Sequence, residues 1–406
     1  MSDQQSFDLI IIGAGPAGLE TALAASDAGL NWLVLERGAV ANNIRDWGFL
    51  ELFSPWKYNT SERGRALTGL QSVNPGEVTT GAEYVARYLE PLANSPALKD
   101  YIQEQTRVLS VGRDRAFKNS LIGDSARAEL PFVVLAESAD GEKQFFARCV
   151  VDASGVYGNH RWLGSGGIPC PGERAAADRI SYTLEDVSAQ GARFDGRKVA
   201  VVGAGYSACS MLERLKELRE SGCDVTVEWL VSQLTDTPVA VASNDPLPYR
   251  KRLGELANAL TKERYWVSYR PGVAVRSLKA ADSTGRVTVT LTTDNGDETL
   301  EVDHIYAMVG YTPDNSLYRE LQVHECWATS GPMKLAATLL SQSGADCLNI
   351  DTGGPDTLRN PEPGFFIIGA KSYGRNSQFL IERLNDQVPA VLTFVRKLLF
   401  EYDRRA

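Results

Sequence analysis

Histidine is scarce in this chain, with three in 406 residues: His160, His304 and His324. None stands at helical spacing from another, so a histidine-built metal site is not expected. The six cysteines, Cys149, Cys170, Cys209, Cys223, Cys326 and Cys347, form no Cys-x-x-Cys or other metal-ligand spacing. That pattern sets metal chemistry aside and fits a reducing cytoplasm. Basic charge is not concentrated into an extended run: the formal net charge is -9, and a nucleic-acid partner needs concentrated positive charge to displace counterions. No run approaches the roughly 20 apolar residues that span a bilayer. The polar start, Met1 to Phe7, lacks the basic segment of a secretory signal. A membrane span, a nucleic-acid partner and export are therefore not expected, and the expected location is cytoplasmic.

What is present is ordinary globular material, 43% hydrophobic and 23% charged. A chain of 406 residues exceeds the roughly 250 to 300 at which single cores stop growing, so two domains are expected.

Phe7 to Ile12 reads as a buried parallel strand, followed by Gly13-Ala14-Gly15-Pro16-Ala17-Gly18 and an amphipathic helix over Leu19 to Ala28. In this order each glycine has a task. Gly13 permits the tight turn, Gly15 lets the backbone approach a pyrophosphate, and Gly18 lets helix and strand pack closely, while the helix N-terminus faces the phosphates. A second strand, Asn31 to Leu35, ends on Glu36, placed to grip the hydroxyls of an unphosphorylated ribose.

The pattern returns. Val199 to Val202 is a strand, Gly203-Ala204-Gly205-Tyr206-Ser207-Ala208 the second cradle, Cys209 to about Arg219 a helix and Val225 to Val231 the next strand. Two cradles imply two dinucleotides. The second strand ends in Leu230-Val231-Ser232-Gln233, with neither a ribose carboxylate nor an arginine for a 2'-phosphate, so NADH and NADPH both remain open. Glu228 would serve the ribose if the strand ended early, and Arg250, Lys251 and Arg252 would reach a phosphate from a loop; a solvated charge is the plainer reading of each.

Between the cradles a helix near Ala82 to Leu92 precedes strands near Pro131 to Ala136 and Phe145 to Val151, joined at Ala139-Asp140-Gly141-Glu142. The second of these strands runs into Ala153-Ser154-Gly155, a small-residue turn that admits a close dinucleotide. Val302 to Gly310 repeats that form.

In this order the motifs resemble those of the two-dinucleotide-binding-domain flavoproteins, the group of flavin-containing monooxygenases, thioredoxin reductases and N-hydroxylating monooxygenases. The resemblance spans nearly the whole chain, including Val309-Gly310-Tyr311-Thr312-Pro313-Asp314 and Phe365-Phe366-Ile367-Ile368-Gly369. Arg45-Asp46-Trp47-Gly48, Leu52-Phe53-Ser54-Pro55-Trp56 and Lys371-Ser372-Tyr373-Gly374-Arg375 resemble a bacterial subgroup of FAD-dependent oxidoreductases. The resemblance implies an α/β fold of two Rossmann-like domains, the second inserted in the first. Residues 1–164 and 333–406 would bind FAD, and residues 165–332 would bind NADH or NADPH. The cofactor candidates are completed by Arg37, Val108, Gly155, Gly310, Gly369, Lys371 and Ser372. The usual Gly-Asp after the last strand is here Gly369-Ala370, so the aspartate's contact must come from elsewhere.

Flavin and nicotinamide carry the electron chemistry, so few catalytic side chains are required. Lys371 and Arg375 are candidates for flavin or substrate-anion contacts, and a final helix beginning near Ser377 would direct its dipole at the flavin. Trp47, Phe53, Trp56 and Tyr58 would wall the isoalloxazine. His160 reads more readily as a linker residue than as an acid or base. The expected function is a monooxygenase-like FAD enzyme reduced by NAD(P)H and acting on a small molecule. Two alternatives stand beside it: a reductase of a small disulfide or quinone without a Cys-x-x-Cys dithiol, and a flavin-binding redox sensor. A homodimer is possible. The nicotinamide segment has no close cysteine pair, and the monooxygenase fingerprint of phenylalanine, glycine and histidine is not recognisable in Phe132 to Gly196.

Overall fold

The apolar run after Ser6 forms a strand whose Leu9, Ile10 and Ile11 are fully buried, as a parallel strand covered on both faces must be. The structure, a computed structural model, describes residues 6–188, 190–280, 285–342 and 350–404. Residues 1–5 of the polar start and Cys347 lie outside the described residues.

Six strands open the chain: β1 (Ser6–Ile12), β2 (Trp32–Leu35), β3 (Ile102–Gln103), β4 (Arg107–Arg113), β5 (Phe132–Ser138) and β6 (Gly141–Asp152). They run β3-β2-β1-β6-β5-β4 across one sheet. β1 is parallel to β2 and β6, whereas β4, β5 and β6 form an antiparallel meander. The long β6 serves both: its first half pairs with β5 and its second half with β1. Helix α1 (Pro16–Asp27) follows β1.

The inserted unit has β7 (Ile180–Ser181), β8 (Lys198–Val202), β9 (Thr226–Val231), β10 (Val267–Pro271), β11 (Ala274–Lys279), β12 (Val287–Thr293), β13 (Gly296–Val302) and β14 (His304–Ala307). A parallel sheet runs β10-β9-β8-β14-β7, and β11-β12-β13 form a separate antiparallel sheet. Helices α2 (Tyr206–Glu220) and α3 (Pro248–Leu260) pack together, their buried faces carrying Met211, Leu212, Leu253 and Ala257.

The chain then completes the first sheet with β15 (Phe365–Ile367), parallel to the end of β6, and closes in helix α4 (Leu384–Asp403), which packs on α1. The last helix starts at Leu384, not near Ser377. Asn376 accepts the Gln378 amide at 2.8 Å, and this side-chain turn holds the backbone out of helix until the turn Ile381–Arg383.

Within the described residues the chain makes two compact units, one of Met1–Arg45, Ser54–Asn159 and Thr312–Ala406, the other of Asp46–Phe53 and His160–Tyr311. The changeover falls at Asn159 and Thr312, ahead of the expected positions 164 and 332. Thr312 N–H donates to Asn159 O at 2.8 Å, while Arg161 N–H donates to Gly310 O at 2.9 Å, and this short ladder fixes where the chain leaves and returns.

Candidate dinucleotide-binding sites

A Cβ placed on Gly13, whose φ is +98°, would lie 2.9 Å from Ala153 O, and one on Gly18 would lie 1.8 Å from Gly13 O. Neither position tolerates a side chain. Gly15 differs: no protein atom lies within 4 Å of its added Cβ. Gly15 is also the N-cap of α1, with Pro16 at N1 and no side-chain cap. The short helices Glu62–Thr68 and Gly81–Tyr84, by contrast, are capped by Ser61 and Thr80. An uncapped helix N-terminus facing open space at a glycine fits a pyrophosphate.

Glu36 is nearly buried and takes the Ala14 amide on Oε2 at 2.7 Å and the Gly38 amide on Oε1 at 2.8 Å. These bonds fix the carboxylate beside the cradle and leave each oxygen a further lone pair for a hydroxyl. Arg37 is exposed and lies over Gly158, where an added Cβ would come 2.6 Å from Nη1. Ser54 and Asn59 close a buried turn, the Ser54 hydroxyl donating to Asn59 Oδ1 at 2.7 Å. Val108 faces the core of the first unit from β4. Trp56 is fully buried against Tyr84 and the Arg87 guanidinium.

The second cradle repeats the first. Gly203 has φ +119°, and its added Cβ would meet Met308 O at 2.4 Å, while that of Gly205 meets nothing within 4 Å. Gly205 is the N-cap of α2, again without a side-chain cap. Ala208, in place of the third glycine, is fully buried. Tyr206 and Ser207 form the first turn of α2, and the Trp229 indole donates to Gly203 O at 2.8 Å. Gly310, with φ +85°, turns the chain after β14. Replacing Gly205 by aspartate should put a carboxylate where the phosphates approach. We expect the nicotinamide Kd to rise at least about tenfold, or 1.4 kcal/mol, with FAD content unchanged, as titration calorimetry would measure. Unaltered nicotinamide affinity would refute the assignment.

Several charges are placed otherwise than expected. β9 continues to Val231, so Glu228 stays inside the strand, paired with Arg270 at 2.7 Å and Lys198 at 3.5 Å. Arg250, Lys251 and Arg252 stand on α3 rather than a loop. Arg250 is buried against Asp245 at 2.7 Å, and Arg252 pairs with Glu213 at 3.2 Å. The Phe53 ring is 5.2 Å from Tyr206 and 5.6 Å from Tyr249, and the run Asp46–Phe53, Trp47 included, folds with the second unit.

The model of the pyridine nucleotide-disulphide oxidoreductases matches residues 10–334. The chain belongs to that family. It is an FAD- and NAD(P)H-dependent oxidoreductase. A 34.2 kDa protein of the rubredoxin operon of Clostridium pasteurianum is 23% identical over 79% of this chain and 81% of its own. The thioredoxin reductase of Bacillus subtilis is 27% identical over 51% of this chain, which spans about half (50%) of that relative. Among solved structures, the bacillithiol disulfide reductase Bdr from Bacillus cereus shares the fold with TM-score 0.69 and 21% identity, over 97% of this chain and 100% of its own. An ornithine N-hydroxylase from Kutzneria shares it with TM-score 0.61 and 15% identity, over 97% and 99%.

In this oxidoreductase the remaining candidates divide. Lys371 is fully buried, its ammonium donating to Asp152 Oδ2 at 2.6 Å and Ser154 Oγ at 3.0 Å. Gly369 takes φ +68°, and its added Cβ would lie 3.0 Å from Ala17 Cβ. Its amide donates to Gln387 Oε1 at 2.8 Å, and Gln387 Nε2 donates to Ser372 Oγ at 3.0 Å. Gln387 on α4 thus holds the turn at Gly369, beside Ala370, from both the Gly369 amide and the Ser372 hydroxyl. Arg375 is exposed, its backbone amide bound to Thr329 O at 2.8 Å. His160 stacks on Tyr182 at 3.5 Å, and its Nδ1 lies 2.7 Å from Arg161 O. Asp152 and Gln387 were not among the sequence candidates. The signal for Asp152 was a carboxylate ending the apolar run Cys149-Val150-Val151.

Proposed function

We infer that the chain reduces a small disulfide with electrons from NAD(P)H and does so without a dithiol of its own: NAD(P)H + RSSR + H⁺ gives NAD(P)⁺ + 2 RSH. The observation that carries this is the state of the thiols in a chain of the disulphide oxidoreductase family. All five described cysteines are buried and free. Burial pushes the thiols of Cys149, Cys170 and Cys209 up to about 12 and raises that of Cys223. A thiol held protonated is a poor nucleophile. Cys326 alone is lowered: burial raises it, but bonds from the Thr329 hydroxyl and the Thr329 and Ala328 amides outweigh burial. Among the described residues, a single lowered thiol offers no redox pair.

FAD, when bound, supplies the two-electron relay between nicotinamide and acceptor. The residues suited to hold it are Gly13, Gly15, Gly18 and Glu36, with Ala153, Ser154, Gly155, Gly369 and Ser372 around them. Gly203, Gly205, Tyr206, Ser207 and Ala208 are suited to hold the nicotinamide dinucleotide. The bacillithiol disulfide reductase likeness supports a disulfide acceptor; the N-hydroxylase likeness supports a second reading, oxygenation of a small amine.

Anaerobic turnover separates the two. With NAD(P)H and a low-molecular-weight disulfide, nicotinamide oxidation should proceed without dioxygen and release two thiols per nicotinamide. The Cys209→Ser/Cys223→Ser variant should keep that rate within about twofold and lose about 1–3 kcal/mol of stability for each hydroxyl buried in a thiol's place. Nicotinamide oxidation that requires dioxygen and yields a hydroxylated product would overturn the reductase reading.

A further inference from the structure

Two turns close on the first cradle from different parts of the chain. Ala153–Gly155 lies against Gly13, whose added Cβ would be 3.1 Å from Ser154 Cα, and Gly369–Tyr373 lies against Ala17. One ion pair ties the two turns together. Asp152 Oδ2 binds the Lys371 ammonium at 2.6 Å, while Asp152 Oδ1 accepts the Ser154 hydroxyl at 2.6 Å and the Ser154 amide at 3.1 Å. Lys371 closes the loop by donating to Ser154 Oγ at 3.0 Å. Both charged side chains are fully buried, and the ammonium also lies 5.3 Å from the Tyr318 ring centre.

We propose that Asp152 and Lys371 are positioning residues for FAD: their buried ion pair aims the Ser154 hydroxyl and holds the Ser154 and Gly369 turns at the spacing the flavin dinucleotide requires. The ground is energetic as well as geometric. A buried ion pair is seldom more stabilising than apolar residues of the same volume, so stability alone does not account for a lysine and an aspartate here. What charge adds is direction, because the donors and acceptors of the loop are assigned to one another. The Ser154 proton is committed to Asp152, and one of its lone pairs to Lys371. The hydroxyl's remaining lone pair therefore has a fixed orientation, suited to accept from a ribityl hydroxyl. A neutral, apolar replacement would pack without fixing that orientation.

The test uses the intact chain, stripped of FAD and retitrated while flavin fluorescence, the visible flavin spectrum and thermal unfolding are followed. Lys371→Met and Asp152→Asn each leave one buried charge unpaired and should lower the melting temperature. Combined, Lys371→Met/Asp152→Asn removes both charges and should recover most of that loss. FAD affinity is expected to stay at least tenfold weaker in the double variant, with a shifted flavin band. Ser154→Ala keeps both charges and the core intact, and should also weaken FAD binding several-fold with the melting temperature unchanged. Glu362→Gln, in another buried ionic cluster of the same unit, should lower the melting temperature and leave FAD affinity as it is. If Ser154→Ala, or a folded double variant, binds FAD with wild-type affinity and spectrum, the pair is structural and the proposal fails.

Discussion

Replacing Gly15 by leucine should give a folded, colourless protein. The added side chain has room as far as the protein is concerned, with no atom within 4 Å of its Cβ, but it fills the space in front of the α1 N-terminus where a pyrophosphate must lie. FAD affinity should fall at least about a hundredfold, or roughly 2.7 kcal/mol, while circular dichroism stays native. Gly18→Ala offers the contrast. Its Cβ would stand 1.8 Å from Gly13 O, a backbone atom that cannot step aside, so the expected outcome is loss of soluble protein. A Gly15→Leu protein that keeps its yellow colour at wild-type FAD affinity would show that the first cradle is a structural turn.

Glu362→Ala should be among the most destabilising single changes away from either cradle. The Glu362 carboxylate is wholly buried between two arginines, with Arg113 Nε at 2.7 Å and Arg127 Nη2 at 2.8 Å, and it also accepts the Gln322 amide at 2.7 Å. Removing it leaves two buried guanidinium groups without a counter-charge, a loss of about 3–5 kcal/mol. Urea unfolding at neutral pH would measure this as a lower midpoint at similar slope. Burial pushes the Glu362 carboxyl up, but the Arg127 side chain, the Gln322 amide and Arg113 outweigh it and hold the group below its ordinary range. Such a group stabilises the fold above the unfolded-state carboxylate range, and the benefit fades as pH falls through the lowered folded value. The gap between wild type and Glu362→Gln should therefore narrow in acid. Equal urea midpoints at neutral pH would mean the cluster contributes nothing.

Both cradles were legible because their requirements are local. A glycine that must take φ of +98° or +119° leaves its mark in a few consecutive letters, and strand and helix follow within a dozen. Partnerships made by tertiary closure left no such mark. Lys371 and Asp152 stand 219 positions apart, so sequence offered a lysine after a glycine and could not say what it would meet. Gln387 takes up the Gly369 amide from a helix whose start was misplaced by the turn at Asn376. Phe53 reads as a flavin wall by its distance from Glu36, and only the folding of Asp46–Phe53 with Tyr206 and Tyr249 shows where its ring goes. Arg250 looked available because its partner Asp245 sits in the preceding turn, close in sequence but visible as a buried pair only once α3 forms.

The pairing of β15 with the end of β6 has a consequence for how the molecule is made. Glu362, just ahead of that strand, meets Arg113 across 249 positions of the chain, and such distant contacts are the slow ones to form. A ribosome finishes the inserted unit well before it reaches Phe365. Until then the first sheet lacks its last parallel strand, the Gly369 turn and the helix that braces α1, so the half of the fold that begins the chain is the half that matures last. A nascent chain arrested once Tyr311 has cleared the ribosome should therefore protect the second cradle from protease while leaving β1 and α1 open to cleavage.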